Sequence, residues 1–298
     1  MRATSWFGRR LTAVAGAVAV LALGAGEAPA QDGNPNTGRI SLSAGVDYTT
    51  DYYFRGIVQE TEDYIIQPYG DITFRLWDGA GGVGNLALTV GTWNSLHGGP
   101  TGIEGGSASA DPKIWYESDF YAKLGATVLD GLTAQTIYTA YMSPNNRFDT
   151  VQEIAFGLSY NDSTLLGPFA VNPSALVAFE LRGQADAGDH RGVYLQLGVA
   201  PGYTFNAKGA YPLALSFPIT LGLSLSDYYE FGTGDDDTFG FLQAGPSVAV
   251  PLAFIPSGFG PWQAKAGVAW LHLGDNLRAI NENDRNEFIG TIGIALAY

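Results

Sequence analysis

The sequence predicts an all-β protein: a closed antiparallel up-and-down transmembrane β-barrel of about twelve strands. Three observations predict it. The C-terminal run alternates, with Phe288, Ile292, Ile294, Leu296 and Tyr298 in one register and Thr291, Gly293, Ala295 and Ala297 in the other. Side chains alternate sides along a strand, so one face is greasy and the other slender. Similar alternation recurs through most of the chain. The slender faces carry Gly, Ala, Ser, Thr, Gln and Tyr with sparse charge, whereas a soluble sandwich needs charged outer faces. Lipid requires every backbone amide to be paired, so a sheet survives there only when closed.

Residues 1–30 read as a signal peptide. Arg2, Arg9 and Arg10 precede an apolar run from Leu11, and Ala28-Pro29-Ala30 supplies a small-residue cleavage site. Residues 31–298 then form a single barrel domain. Downstream, no run of about 18 apolar residues offers a membrane helix. The absence of Cys removes disulfides from an exported chain. A net charge of −14 disfavours nucleic acid, whose phosphates need Lys and Arg.

Element by element, Ile40, Leu42, Ala44, Val46, Tyr48, Thr50, Tyr52 and Phe54 share one face of a first strand. Tyr64, Ile66, Ile72, Phe74 and Leu76 oppose Gln67, Tyr69, Asp71, Thr73 and Arg75 on a second. Leu86 to Val90 and Ile114 to Val128 follow, and Asp130-Gly131 is a hairpin signal. Later strands centre on 132–142, 154–160, 175–181, 193–199, 215–225, 239–250, 262–272 and 288–298, the tenth being the least regular. Tyr52, Phe54, Tyr64, Trp77, Trp115, Tyr116, Tyr160 and Trp262 cluster near strand ends, as aromatics do at headgroup level. An even strand number places both termini on one side. The connections on that side carry only Asp78, Asp130, Asp162 and Lys208, so acidity concentrates in the opposite loops. Solvation alone explains acidic loops, although divalent ions also bind such groups.

Asp51-Tyr-Tyr-Phe-Arg-Gly-Ile-Val-Gln59, followed by an acidic stretch and Gln67-Pro-Tyr-Gly-Asp71, resembles the start of the bacterial Gcw_chp family. Its members carry a D-Y-x-F-R-G-x-x-Q signature near the mature N-terminus. The resemblance covers residues 40–76, with Val58 where members often have Ser. It implies an outer-membrane β protein and no established activity. The final strand likewise resembles those that bacterial barrels present to their assembly machinery. Outer-membrane lipids and that machinery, met through the strand ending at Tyr298, are the partners implied.

The strand phases turn Asp47, Asp51, Arg55, Asp71, Arg75, Glu117, Asp119, Lys123, Glu153, Glu180, Arg182 and Lys265 toward the lumen. A charge facing lipid costs about 2–4 kcal/mol, so inward placement is forced. Twelve strands at about 4.8 Å spacing and 40° tilt enclose a backbone diameter of roughly 24 Å. The charges therefore either line a narrow pore for passive passage of small, cation-leaning solutes or fill the lumen of a structural, surface-interacting barrel. The pore is the leading expectation. No enzyme is expected: there is no G-x-S-x-G elbow, and His97, His190 and His272 read as isolated surface residues. No cofactor or metal site is expected, and Asp235-Asp236-Asp237 reads as an exposed acidic tip.

Overall fold

The computed structural model describes residues 36, 38–79, 82–99, 114–129, 131–207, 209, 211–231 and 235–298. The expected signal peptide lies outside them, as do Asp130 and Lys208. The chain opens with β1 (Ile40–Thr49) and a short hairpin of β2 (Tyr52–Phe54) and β3 (Ile57–Glu60). Then come β4 (Ile65–Asp78), β5 (Asn85–His97), β6 (Trp115–Leu129), β7 (Leu132–Met142), β8 (Val151–Tyr160) and β9 (Ser174–Arg182). The next three barrel strands are each split in two: β10 (Val193–Val199) with β11 (Gly202–Phe205), β12 (Leu213–Ser216) with β13 (Ile219–Ser226), and β14 (Phe239–Ala244) with β15 (Ser247–Pro251). β16 (Trp262–Leu273) and β17 (Asn286–Ala297) complete the sheet, with short helices α1 (Ser163–Leu166) and α2 (Asp275–Ile280) in connections.

Counting split strands once gives the expected twelve, each antiparallel to its neighbours. The sheet closes because β1 pairs with both β4 and β17, and β17 pairs with β16. Among the described residues the ring of long strands is continuous, and the short β11, paired only with β12, keeps one open side. The two-residue connection at Gly131 holds φ at +79° while Leu129 pairs with Leu132. The irregularity of the tenth strand has a plain cause. Pro201, Pro218 and Pro246 fall at the three breaks, and proline brings no N–H to a ladder. Their carbonyls still accept from the next strand: Phe217 N–H donates to Pro201 at 2.9 Å, Gly245 N–H to Pro218 at 3.3 Å and Val268 N–H to Pro246 at 3.1 Å. The breaks therefore run in a row across adjacent strands without opening the wall.

The wall is greasy outside. Along β8, Phe156 and Leu158 are about half exposed, while the alternating Ala155 and Gly157 are buried. Phe288 and Ile292 of β17 are 69% and 60% exposed. A belt of this kind is disfavoured in water and matched by hydrocarbon, which makes this a membrane β-barrel. The first strand departs from expectation. It ends at Thr49, and the alternation at Tyr52 and Phe54 belongs to the separate β2–β3 hairpin. Period-2 patterning reports a strand but not which sheet it joins.

Candidate functional site

The β2–β3 hairpin lies inside the barrel. Its turn, Arg55-Gly56, has φ of +47° and +84°, the pair of left-handed conformations that a two-residue hairpin favours. Its side chains touch strands around the ring. Tyr52 packs on Trp93 of β5 at 5.5 Å and its hydroxyl donates to Glu117 of β6 at 2.9 Å. Phe54 packs on Tyr141 of β7 at 5.6 Å, and Tyr116 of β6 donates to Gln59 at 2.6 Å. The guanidinium of Arg55 grips Glu153 of β8 with two bonds, Nη1 to Oε2 at 2.7 Å and Nη2 to Oε1 at 2.8 Å. It also donates to the Tyr228 hydroxyl at 2.7 Å and stacks 4.1 Å above the Tyr194 ring of β10. Tyr229 donates back to the Arg55 carbonyl at 3.0 Å. Tyr52, Phe54, Ile57, Gln59 and Glu60 are all buried, so among the described residues the loop end of the lumen is filled by this element.

The twelve expected lumen charges separate into groups. Glu117, Asp119 and Glu153 are buried behind the hairpin with Arg55. Glu180 is buried too, but it fastens the β9–β10 loop, accepting from Ala185 N–H at 2.6 Å and Gly192 N–H at 2.7 Å. Nearer the turn end, Lys265 bonds Asp47 at 2.8 Å and Tyr69 at 3.2 Å, while Asp71 accepts from Ser43 at 2.7 Å and Tyr121 at 3.2 Å. Lys123, also inward, acts electrostatically on Asp71. Asp51 lies between β1 and β2 and accepts from Thr50 rather than belonging to a barrel strand. Arg75 and Arg182 are exposed. A register shift sets Arg182 against Gln152 on the outward row, whereas Arg75 keeps the inward register of Thr73, pairing with Ala87, and is exposed near the turn end of its strand. Strand phase alone does not anticipate a bulge. Beside Lys265, a cavity of about 440 Å³ remains, with Ser216, Thr220, Gln243, Gln263 and Thr291 in its wall.

The histidines also depart from expectation. His97 is not a surface residue; it is buried, stacked 4.4 Å from Tyr116, with Nε2 2.7 Å from the Ser95 hydroxyl. Its Nδ1 lies 3.9 Å from Glu60, beyond hydrogen bonding. His190 is exposed and bonds Glu230 at 2.9 Å. His272 bonds Asn286 at 2.9 Å near its strand end. Nor is Asp235–Asp237 merely an acidic tip. Asp236 accepts from Ser224 and from Tyr229 N–H, and Asp237 accepts from Asp275 N–H at the start of α2. His190, Asp227 and Glu230 bring ligand atoms within 4.8 Å of one another. Glu230 already accepts the N–H groups of Asp189 and His190, so this cluster closes on itself. Of the aromatics expected at headgroup level, Trp77 and Trp115 are exposed, whereas Tyr52, Phe54 and Tyr116 are interior.

No known family profile and no curated protein matches the chain. Solved structures do resemble it. LpxR from Salmonella typhimurium shares 8% identity over 86% of this chain and 99% of its own, with a TM-score of 0.49. An outer membrane channel from Pseudomonas putida F1 shares 11% identity over 90% and 98%, at 0.45. The NanC porin shares 10% over 86% and 98%, at 0.39.

Proposed function

We propose that this protein is an outer-membrane barrel whose lumen is stoppered, serving as a structural or surface-presenting element rather than a constitutive pore. The observation that carries this is the bidentate Arg55–Glu153 pair, which ties the hairpin tip to the wall across 98 residues of sequence. A buried pair with both partners satisfied holds its geometry, since separating them leaves two charges unsolvated. On this reading the loops opposite the termini face outward from the cell. Ser95, His97 and Glu60 serve packing and no reaction is assigned, because Ser95 is wholly buried. Planar-bilayer recording tests the proposal: the purified barrel should insert without steady current. Ohmic steps from the unmodified protein would reject it.

One observation favours a second reading, a gated narrow pore for small cations. The cavity at the turn end, with Lys265 and several hydroxyl and amide side chains in its wall, would become continuous with the outside if the hairpin moved. On that reading Glu153→Gln, which weakens the grip on Arg55, produces conductance. Asp71→Asn in that background then lowers cation preference, read from the reversal potential in a salt gradient.

A further inference from the structure

We propose that the turn end of this barrel is sunk into the membrane on one side, where three apolar connections take lipid headgroups and upper acyl chains as their partner. The connections are neighbours on the ring: 163–171 between β8 and β9, 206–212 between β11 and β12, and 252–261 between β15 and β16. Leu165, Phe169, Phe254 and Phe259 are 71%, 80%, 81% and 68% exposed, and Tyr211 is exposed with them. Segments 163–171 and 252–261 hold no charged residue, and Lys208 is the only one in 206–212. Phenyl rings exposed without charged neighbours are disfavoured in water and call for an apolar partner.

Three observations choose lipid as that partner. The rings continue the greasy wall, since Tyr203, Phe205, Leu213 and Val250, on the outward row of β11, β12 and β15, are each at least a third exposed. The backbone of the connections is also satisfied from within, as contact with hydrocarbon requires. Leu165 and Leu166 N–H donate to the Asp162 carbonyl at 2.9 and 2.8 Å, and Val171 and Asn172 N–H donate to its carboxylate at 3.1 and 3.0 Å. Asp162 is thereby buried, not presented. Ile255 N–H donates to Leu252 and Phe259 N–H to Pro256, both at 3.0 Å. Finally, Lys208 suits an interface, where a long cationic side chain reaches lipid phosphates. The far half of the rim differs: its β4–β5 and β6–β7 connections are shorter and carry Asp78 and Asp130. The proposal rests on the membrane reading of the wall and holds whether the lumen conducts or is stoppered.

The chain has no cysteine, so single ones report position cleanly. Phe169→Cys, Phe254→Cys and Phe259→Cys are labelled with nitrobenzoxadiazole and refolded into phosphatidylcholine–phosphatidylglycerol vesicles, with β circular dichroism as the check on folding. Asp78→Cys on the far half of the rim and Glu282→Cys at the loop end are exposed references. Ile292→Cys on the lipid-facing wall must be quenched in the same vesicles, which separates failure of the proposal from failure to insert. We expect blue-shifted emission at the three Phe positions, quenched at least about twofold by lipid with a nitroxide about 5–10 Å below the headgroups. Emission at both references should be water-like and unquenched. Water-like emission at the Phe positions leaves the rings free for a soluble protein and overturns the proposal. Blue-shifted emission that the nitroxide lipid does not quench places them against a second copy and overturns it too. Equal quenching at Asp78→Cys would submerge the whole rim and overturn the one-sidedness.

Discussion

Arg55 concentrates the chemistry of the hairpin in one side chain. Its left-handed backbone, its two bonds to Glu153 and its stacking on Tyr194 all depend on reaching across the lumen. Removing one partner of such a pair strands a buried charge, at a cost of about 3–5 kcal/mol. Arg55→Met and Glu153→Met should each lower the unfolding free energy from urea titration by that amount. The double variant should recover much of the loss, because apolar groups of similar volume need no solvation. Equal losses in the single and double variants would show that packing, not the ion pair, sets the energy. Glu60 adds a pH dependence. Burial pushes its carboxyl up to about 7 from an ordinary 4.5, so the folded state holds a proton that the unfolded chain releases. This contribution is full below about 4.5 and is lost as pH rises through about 7. The unmodified protein should therefore resist urea better at pH 5 than at pH 8. Glu60→Gln should flatten that slope, and an unchanged slope would remove Glu60 as its source.

At the scale of the element, the hairpin exists because Gly56 lets the chain turn where nothing larger fits. A Cβ there would meet Leu277 Cδ1 at 2.6 Å and Phe241 at 3.2 Å, with φ at +84°. Gly56→Ala should leave the barrel intact but loosen the hairpin. Limited proteolysis near Arg55 should then accelerate several-fold while the circular dichroism stays unchanged. Equal cleavage rates would show that the turn tolerates the methyl group. The same element marks where sequence reasoning stops. The signature residues Asp51, Tyr52, Phe54, Arg55, Gly56 and Gln59 were visible as a motif, yet alternation from Ile40 to Phe54 read as one long strand. Thr50-Asp51 carries no Gly or Pro to announce the break, and Arg55-Gly56 resembles no common turn pair apart from its glycine. The burial of His97 was equally hidden, because it follows from the hairpin covering the end of β5.

At the scale of the molecule, the barrel was legible because lipid imposes one rule on every strand. Phe156 and Leu158 outside with Ala155 and Gly157 inside is the pattern any membrane strand must show. What fills the lumen was not legible, because it depends on a loop folding inward and, at Arg182, on a register shift. Closure raises the last question, which is what Tyr298 contributes. It exchanges two bonds with Leu42, each 2.6 Å, and forms the final rung between β1 and β17. Losing the two bonds of this rung should cost about 2 kcal/mol in a barrel already paired from Ser43 to Thr49. If Tyr298 is also the residue that assembly machinery reads, its deletion acts unequally in two settings. Micelle refolding should shift by no more than that rung, while the folded fraction recovered from cell outer membranes falls several-fold. An unchanged cellular yield beside the small shift in micelles would reduce Tyr298 to a rung of the seam.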